Sequence, residues 1–332
     1  MKIAVLGMGA WGTTFAAVLA DAGHDVVIWG RDQETAREIS LDHTNTKRLP
    51  GVALNERISA TTNAEEALAD SSIVVVAVPS QSARAILMPL AHLVPSDSVI
   101  VSLMKGVELE SDLRMSEVLC QSLNVELERV VVVSGPNLAA EIAAQQPTAT
   151  VVSGIDPQHT RMVAQACSNH YFRPYTNTDL VGVELCGAVK NVIAVAVGMA
   201  QGRGFGHNTT ATIITRGLAE ITRLGLKLGA QPETFPGLAG MGDLMATCAS
   251  PLSRNHTLGK HIGQGLTLEE AIAVTGGTAE GAKSCTSVAQ LAKSVGVEMP
   301  ITNAVVSVLY HGLPVDDMTR ALLARPQKSE LI

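Results

Sequence analysis

The chain has 332 residues, with 24 Lys and Arg against 31 Asp and Glu, for a formal charge of −7. Hydrophobic residues make up 46% and charged residues 17%, so the chain is aliphatic and sparsely charged beside the roughly 25% of ordinary domains. These values exclude a disordered chain and a nucleic-acid binder working through a basic field. The length fits one large domain or two ordinary ones.

Lys2–Leu6 reads as a strand ending at Gly7, and Trp11–Ala22 as a helix closed by Gly23. The apolar run after Lys2, with Ala20-Asp21-Ala22, imitates a secretory leader. Three glycines interrupt it, and a strand followed by a helix accounts for the same residues. Val26–Trp29 is a second strand and Asp32–Leu41 a helix, followed by a long polar loop from Asp42 to Arg57. Ile73–Val78 is nearly continuous valine, the mark of a parallel strand buried on both faces. Gln81–Leu93 resumes as helix. Val99–Leu103, Val130–Val133 and Thr148–Val152 are further strands. Alternating strands and helices predict a doubly wound α/β sheet of the Rossmann type.

After Thr178 the period changes. Leu180–Gly198, Thr209–Leu228, Leu266–Val274, Thr286–Val295 and Ile301–Leu309 all read as helices. The expected organisation is a sheet domain over 1–178 and a predominantly helical domain over 179–332. Val181–Ala200 has the length of a membrane span. Glu184, Lys190 and Asn191 lie inside it, so a buried helix is expected and stable membrane insertion is not. Cys120, Cys167, Cys186, Cys248 and Cys285 form an odd set without a Cys-x-x-Cys pair, which suits reduced thiols in a cytoplasmic protein. The nine histidines show no His-Glu-x-x-His spacing, so no metal site is expected.

Gly7-Met8-Gly9-Ala10-Trp11-Gly12 matches G-x-G-x-x-G between the first strand and the first helix. In that context Gly7 allows the tight turn and Gly9 lets the backbone approach a pyrophosphate. Gly12 lets helix and strand pack closely, and the helix N-terminus attracts the anion. Dinucleotide binding is therefore expected. NAD-specific sites place an acidic residue at the end of the second strand. Here Gly30 stands there, followed by Arg31, whose guanidinium can pair with a 2′-phosphate. The site is expected to accept NADP(H), with NAD(H) as a second cofactor. The alternative is that Arg31 merely caps a solvated helix start.

Lys190 lies among small and aliphatic residues in Glu184–Ala200. Two readings are open for it. A desolvated lysine with a lowered pKa is the acid–base partner that hydride transfer needs; a lysine at a core edge snorkels to water. Gly240-Met241-Gly242-Asp243 puts a carboxylate in a flexible turn. Ser253-Arg254-Asn255 suits either a phosphate or a plain helix cap.

Taken in order, these stretches resemble the bacterial-type NAD(P)-dependent glycerol-3-phosphate dehydrogenases. The resemblance runs from Gly-Met-Gly-Ala-Trp-Gly-Thr to Met299–Thr302. It includes Val78–Ser80, Lys105–Glu108, Ser134–Asn137, Gly187–Val192, Arg216–Glu220, Gly240–Leu244, Ser253–Asn255 and Ala279–Gly281. It implies reversible reduction of dihydroxyacetone phosphate to sn-glycerol 3-phosphate for phospholipid synthesis. By the family pattern Lys190 is the proton donor and acceptor, Lys105 lies near nicotinamide and substrate, and Asp243 holds substrate and orients Lys190. Gly135, Asn137, Ser253, Arg254 and Asn255 receive substrate. Ala10, Trp11, Arg31, Lys105, Ala139, Arg254, Thr278 and Glu280 match cofactor positions. A homodimer through the helical half is consistent with the resemblance. Three positions depart from the pattern: Asn137 stands where Ser or Thr is common, His207 where Asp is common, and Ala10 where Ser is frequent.

The nearest rivals are a 3-hydroxyacid or 6-phosphogluconate-type dehydrogenase and a non-catalytic dinucleotide sensor. The first usually adds an Asn four residues after its lysine, where this chain has Ala194. The second would need neither a buried lysine nor a phosphate subsite.

Overall fold

A computed structural model describes residues 1–276 and 279–324. β1 (Lys2–Leu6), α1 (Ala10–Asp21), β2 (Asp25–Trp29) and α2 (Gln33–Leu41) open the chain. β3 (Ile58–Thr61), α3 (Ala64–Leu68) and β4 (Ile73–Val76) follow. Short helical turns around α4 (Ala83–Leu87) lead to β5 (Val99–Ser102), α5 (Met115–Leu123) and β6 (Val130–Ser134). Next come α6 (Ala139–Ala143), β7 (Thr148–Gly154), α7 (Pro157–Cys167) and β8 (Phe172–Asn177). From there the described chain is helical: α8 (Leu180–Gly202), α9 (His207–Lys227), α10 (Asp243–Ala249), α11 (Arg254–Gly263), α12 (Leu268–Thr275), α13 (Glu280–Ser294), α14 (Pro300–His311) and α15 (Val315–Leu323).

The strands form one eight-stranded sheet in the order β3-β2-β1-β4-β5-β6-β7-β8. The first six are mutually parallel in the Rossmann order. β7 runs antiparallel to β6, with Val151 opposite Ser134, and β8 is parallel to β7. α6 is too short to carry the chain across the sheet, so β7 returns beside β6 in the opposite sense. Side chains alternate between two cores. Ile3, Val5 and Val75 pack on one face with Phe15, and Ala4, Leu6 and Val76 on the other with Leu119.

The long polar loop does not lead straight to the valine strand: β3 and α3 intervene. β3, α5, α7 and β8 were not foreseen from the sequence. β3 and β8 are the sheet's edges, and edge strands lack the continuous apolar run of buried ones. β8 even accommodates Pro174, which a central strand would reject.

α8 is the axis of the helical part. Asp179 caps it by accepting from the Gly182 N–H at 2.9 Å. Val189, Ile193 and Val197 are fully buried, each worth roughly 1.5–3 kcal/mol of transfer free energy. The helix is apolar and long enough to cross a membrane, yet 94% of its most apolar window is buried inside the protein. α11 packs on it at backbone contact. A Cβ on Gly198 or Gly259 would lie 2.1 Å from the His256 or Val195 carbonyl oxygen, and one on Gly202 or Gly263 2.2 Å from that of Lys260 or Met199. Glycines four apart on both helices are therefore what lets the start of α11 reach the middle of α8.

Candidate active site

In a doubly wound sheet the ligand crevice lies beyond the carboxyl ends of the strands, where strand order reverses. Here that point is between β1 and β4. The turn after β1 carries the glycine loop, the turn after β4 carries Pro79-Ser80, Lys105 follows β5, and Gly135 and Asn137 follow β6. α8 packs against β6 and delivers Lys190 to the same edge.

Gly7 has φ +128°, and a Cβ there would lie 2.5 Å from the Ala77 carbonyl oxygen. A Cβ on Gly12 would meet the Gly7 carbonyl oxygen at 2.3 Å. A Cβ on Gly9, by contrast, would meet nothing within 4 Å. Among the described residues, the backbone N–H groups from Gly9 to Gly12 have no acceptor in the protein. The Trp11 Nε1 is also buried without a partner. An open approach, convergent N–H groups and a helix N-terminus fit the pyrophosphate of a dinucleotide. Ala10 lies on this rim, and Ala139, at the start of α6, accepts a hydrogen bond from the Thr14 hydroxyl at 3.2 Å. Gly30 is spoken for by packing: a Cβ there would lie 2.6 Å from the Met8 sulfur. Arg31 is exposed and makes no ion pair among the described residues. Asp32, the nearest carboxylate in sequence, caps α2 through the Glu34 and Thr35 N–H groups and pairs with Lys47 at 3.3 Å.

The polar centre is built from three elements. Lys190 Nζ donates to Asp243 Oδ1 at 2.5 Å and to the Thr247 hydroxyl at 2.6 Å. Lys105 Nζ donates to the other carboxylate oxygen, Oδ2, at 2.6 Å and to the Gly135 carbonyl at 3.2 Å. Asp243 is 1% exposed and Lys190 6%, so Lys190 is buried and does not snorkel. The turn holding Asp243 is helical: Gly242 donates back to Gly237 at 3.1 Å in a wide helical turn that runs directly into α10. Gly187, one turn before Lys190, leaves room that Lys105 fills; a Cβ there would lie 3.4 Å from Lys105 Cγ. Burial pulls the Lys190 pKa down to about 8, with the Lys105 charge acting the same way and Asp243 opposing both.

Ser253 caps α11, accepting from the His256 N–H at 3.3 Å. Arg254 is exposed and has no protein partner among the described residues. Asn255 donates to Asn191 Oδ1 at 3.0 Å and accepts from the Gly281 N–H at 2.9 Å, tying α11 to α8 and α13. Glu280 opens α13 and accepts weakly from the Ser80 N–H at 3.4 Å. Burial raises its pKa, while Arg254, Lys105 and Lys190 pull it down. Three cations thus face two carboxylates, a balance suited to an anionic substrate. Asn137 spends its amide on the Thr150 hydroxyl at 3.0 Å, and its Oδ1 is buried without a partner. His207 begins α9 and is exposed. Thr278 lies outside the described residues.

Two participants were missed in the sequence. Thr247 stands one helical turn after Asp243, a spacing that puts both on one face of α10. Asn191, adjacent to Lys190, accepts from Asn255 at the start of α11. Among the described residues no cluster of metal-ligating side chains occurs.

A glycine loop at the switch point of a Rossmann sheet, together with a buried lysine from the helical C-terminal region, is the arrangement of a nicotinamide-dinucleotide dehydrogenase. Residues 2–160 match the family model described as NAD-dependent glycerol-3-phosphate dehydrogenase N-terminus, and residues 179–320 match the C-terminus model. The chain belongs to the NAD-dependent glycerol-3-phosphate dehydrogenase family. It is 53% identical over 331 residues to a glycerol-3-phosphate dehydrogenase [NAD(P)+] of Corynebacterium diphtheriae, covering 99% of this chain and 100% of that one. It is 54% identical over 330 residues to the like-named protein of Streptomyces griseus, covering 99% and 98%. The crystal structure of glycerol-3-phosphate dehydrogenase from Coxiella burnetii superposes with a TM-score of 0.93 at 34% identity, covering 98% of this chain and 99% of that one.

Proposed function

We propose that the chain catalyses the reversible NAD(P)H-dependent reduction of dihydroxyacetone phosphate to sn-glycerol 3-phosphate, supplying phospholipid synthesis. The reaction takes place between a dinucleotide-binding domain (1–178) and a helical domain (179–332). The single observation that carries this reading is the buried Lys105–Asp243–Lys190 bridge, with both lysines within 2.6 Å of one carboxylate.

The glycine loop, Trp11 and Arg31 hold the cofactor, with Lys105, Ala139, Arg254 and Glu280 completing its surroundings. Bound nicotinamide supplies the hydride for reduction and receives it in the reverse direction. Arg254, with Ser253 and Asn255 at the start of α11, binds the substrate phosphate. Gly135 and Asn137 contact substrate from the sheet side. Lys190 gives a proton to the carbonyl oxygen and takes it back from the alcohol. Its lowered pKa suits both directions near neutrality. Asp243 fixes Lys190 and Lys105 in place and, with Thr247, selects the Nζ orientation. Burial around Asp243 keeps water from competing for the proton. We also propose a homodimer in the cytoplasm; the five cysteines, all free, support a reducing compartment.

The test is nicotinamide absorbance with dihydroxyacetone phosphate and NADPH or NADH, comparing wild type with Lys190→Ala. The expected result is rapid oxidation by wild type and a loss of roughly 10²–10⁴-fold in the variant, with NADPH binding kept. Cofactor binding without turnover of dihydroxyacetone phosphate would overturn the substrate assignment. Undiminished turnover by Lys190→Ala would overturn the role of Lys190.

A further inference from the structure

The polar loop after α2 has no part in the site described so far, yet it folds back onto the glycine loop. Asn45 is completely buried. Its Nδ2 donates to the Met8 carbonyl at 3.2 Å and to the Thr13 hydroxyl at 2.9 Å. Met8 is the residue between the first two glycines of the fingerprint. The loop that presents Asn45 is itself stapled: Glu38 accepts from the Thr44 hydroxyl at 2.9 Å and from the Thr46 N–H at 2.7 Å. The Leu49 N–H closes on the Asn45 carbonyl at 2.7 Å. Met8 is thus fixed at both ends, its sulfur under Gly30 and its carbonyl on Asn45.

A trans peptide directs its C=O and N–H to opposite sides. Holding the Met8 carbonyl toward Asn45 therefore turns the Gly9 N–H away from Asn45. Among the described residues that N–H has no protein acceptor, and the space beside Gly9, where a Cβ would meet nothing within 4 Å, is open to a ligand. Free of that constraint, a peptide that leads into a glycine samples other orientations more readily.

We propose that Asn45 is a positioning residue for the dinucleotide: it presets the Met8–Gly9 peptide so that the Gly9 N–H is aimed at the pyrophosphate before the cofactor arrives. This rests on the dinucleotide-binding reading above. Among the described residues Asn45 bonds Met8 and Thr13 and not Lys105, Lys190 or Asp243, so its loss is expected to act on affinity and not on the chemical step.

The test compares wild type, Asn45→Leu, Asn45→Ala and Thr13→Val. NADPH affinity is read from nicotinamide fluorescence, affinity for 2′-AMP by competition, and steady-state constants for dihydroxyacetone phosphate at saturating NADPH. Both Asn45 variants are expected to weaken NADPH roughly 10- to 100-fold, the range for one hydrogen bond to a charged group. Binding of 2′-AMP, which lacks the pyrophosphate, is expected within twofold of wild type, as are kcat and the KM for dihydroxyacetone phosphate. Thr13→Val keeps the Met8 contact and is expected to bind NADPH within threefold of wild type. Equal loss of NADPH and 2′-AMP binding would overturn the proposal, because general disorder of the pocket would explain it. NADPH affinity as strong in both Asn45 variants as in wild type would also overturn it, as would a Thr13→Val loss matching theirs. A wild-type protein that binds neither NADPH nor NADH would instead overturn the functional reading beneath it.

Discussion

Replacing Gly259 by Ala is expected to perturb the candidate active site without altering any of its polar side chains. The added Cβ would lie 2.1 Å from the Val195 carbonyl oxygen, 2.9 Å from its carbon and 3.0 Å from the Met199 nitrogen. All of these are backbone atoms of α8, so no side chain can swing away. α8 and α11 must separate by on the order of 1 Å, at the roughly 1–3 kcal/mol typical of overpacking. For a domain of this size that is a fall in Tm of roughly 2–10 °C. The larger effect is on catalysis. Gly259 lies five residues from Arg254, so the shift moves Ser253–Asn255 relative to Lys190. A misplacement of about 1 Å costs roughly 10²-fold in rate. The assay is kcat/KM for dihydroxyacetone phosphate alongside NADPH affinity and thermal melts, with Gly206→Ala as control. A Cβ on Gly206 meets nothing within 4 Å and φ there is −87°. Gly259→Ala should lose about 10²-fold in kcat/KM and keep NADPH affinity, while the control stays near wild type in everything. A Gly259→Ala enzyme with wild-type kcat/KM would refute the argument that backbone contact between α8 and α11 sets the site.

Two further outcomes follow from the charges. Lys190 must be protonated to reduce the ketone and neutral to oxidise the alcohol. With its pKa at about 8, kcat for reduction should fall as pH rises through about 8, and kcat for oxidation should rise over the same range. Asp243 holds that pKa up against burial and Lys105, so whatever activity Asp243→Asn retains should show the same limb at lower pH; a limb moved upward would contradict the assignment. Arg31→Ser removes an exposed cation that makes no ion pair among the described residues. It should raise the KM for NADPH by roughly tenfold or more, in keeping with a lost charge-assisted pair, and leave the KM for NADH within about threefold. Equal effects on both cofactors would assign Arg31 to the helix start instead.

What could be read from the sequence divides along a physical line. The buried valine strands, the glycine fingerprint and the long helix carrying Lys190 are local patterns, and each was legible because burial on both faces or a strained turn leaves a mark on neighbouring residues. The edge strands Ile58–Thr61 and Phe172–Asn177 left no such mark, since solvent or a single neighbour tolerates Ser59, Arg173 and Pro174. The site residues were legible as chemical types, but their pairing was not. Lys105, Lys190 and Asp243 are far apart in the chain, and nothing local says that one carboxylate serves both lysines. The resemblance to known dehydrogenases supplied their roles; it did not supply the geometry that makes Lys190 buried where a snorkelling lysine was equally readable.

The glycines sharpen this point. Gly198 and Gly202, like Gly259 and Gly263, stand four residues apart in plain view, and glycine inside a helix costs about 1 kcal/mol relative to Ala. Four such positions in two packed helices are a cost without a local benefit, which is why propensity alone reads them as weak points. The benefit appears only when the two helices are set against each other: without Cβ atoms, the α11 backbone reaches α8 closely enough for Asn255 to bond Asn191 at 3.0 Å. The sequence therefore bears the cost locally, and the return lies across the helix pair, where the start of one helix is set against the middle of the other, near Lys190. The same logic holds for Asn45. Burying the Asn45 amide is costly, since its Oδ1 is left without a partner; the Nδ2 bonds to Met8 and Thr13 offset part of that cost, and by the proposal above they make the glycine loop a preformed receptor.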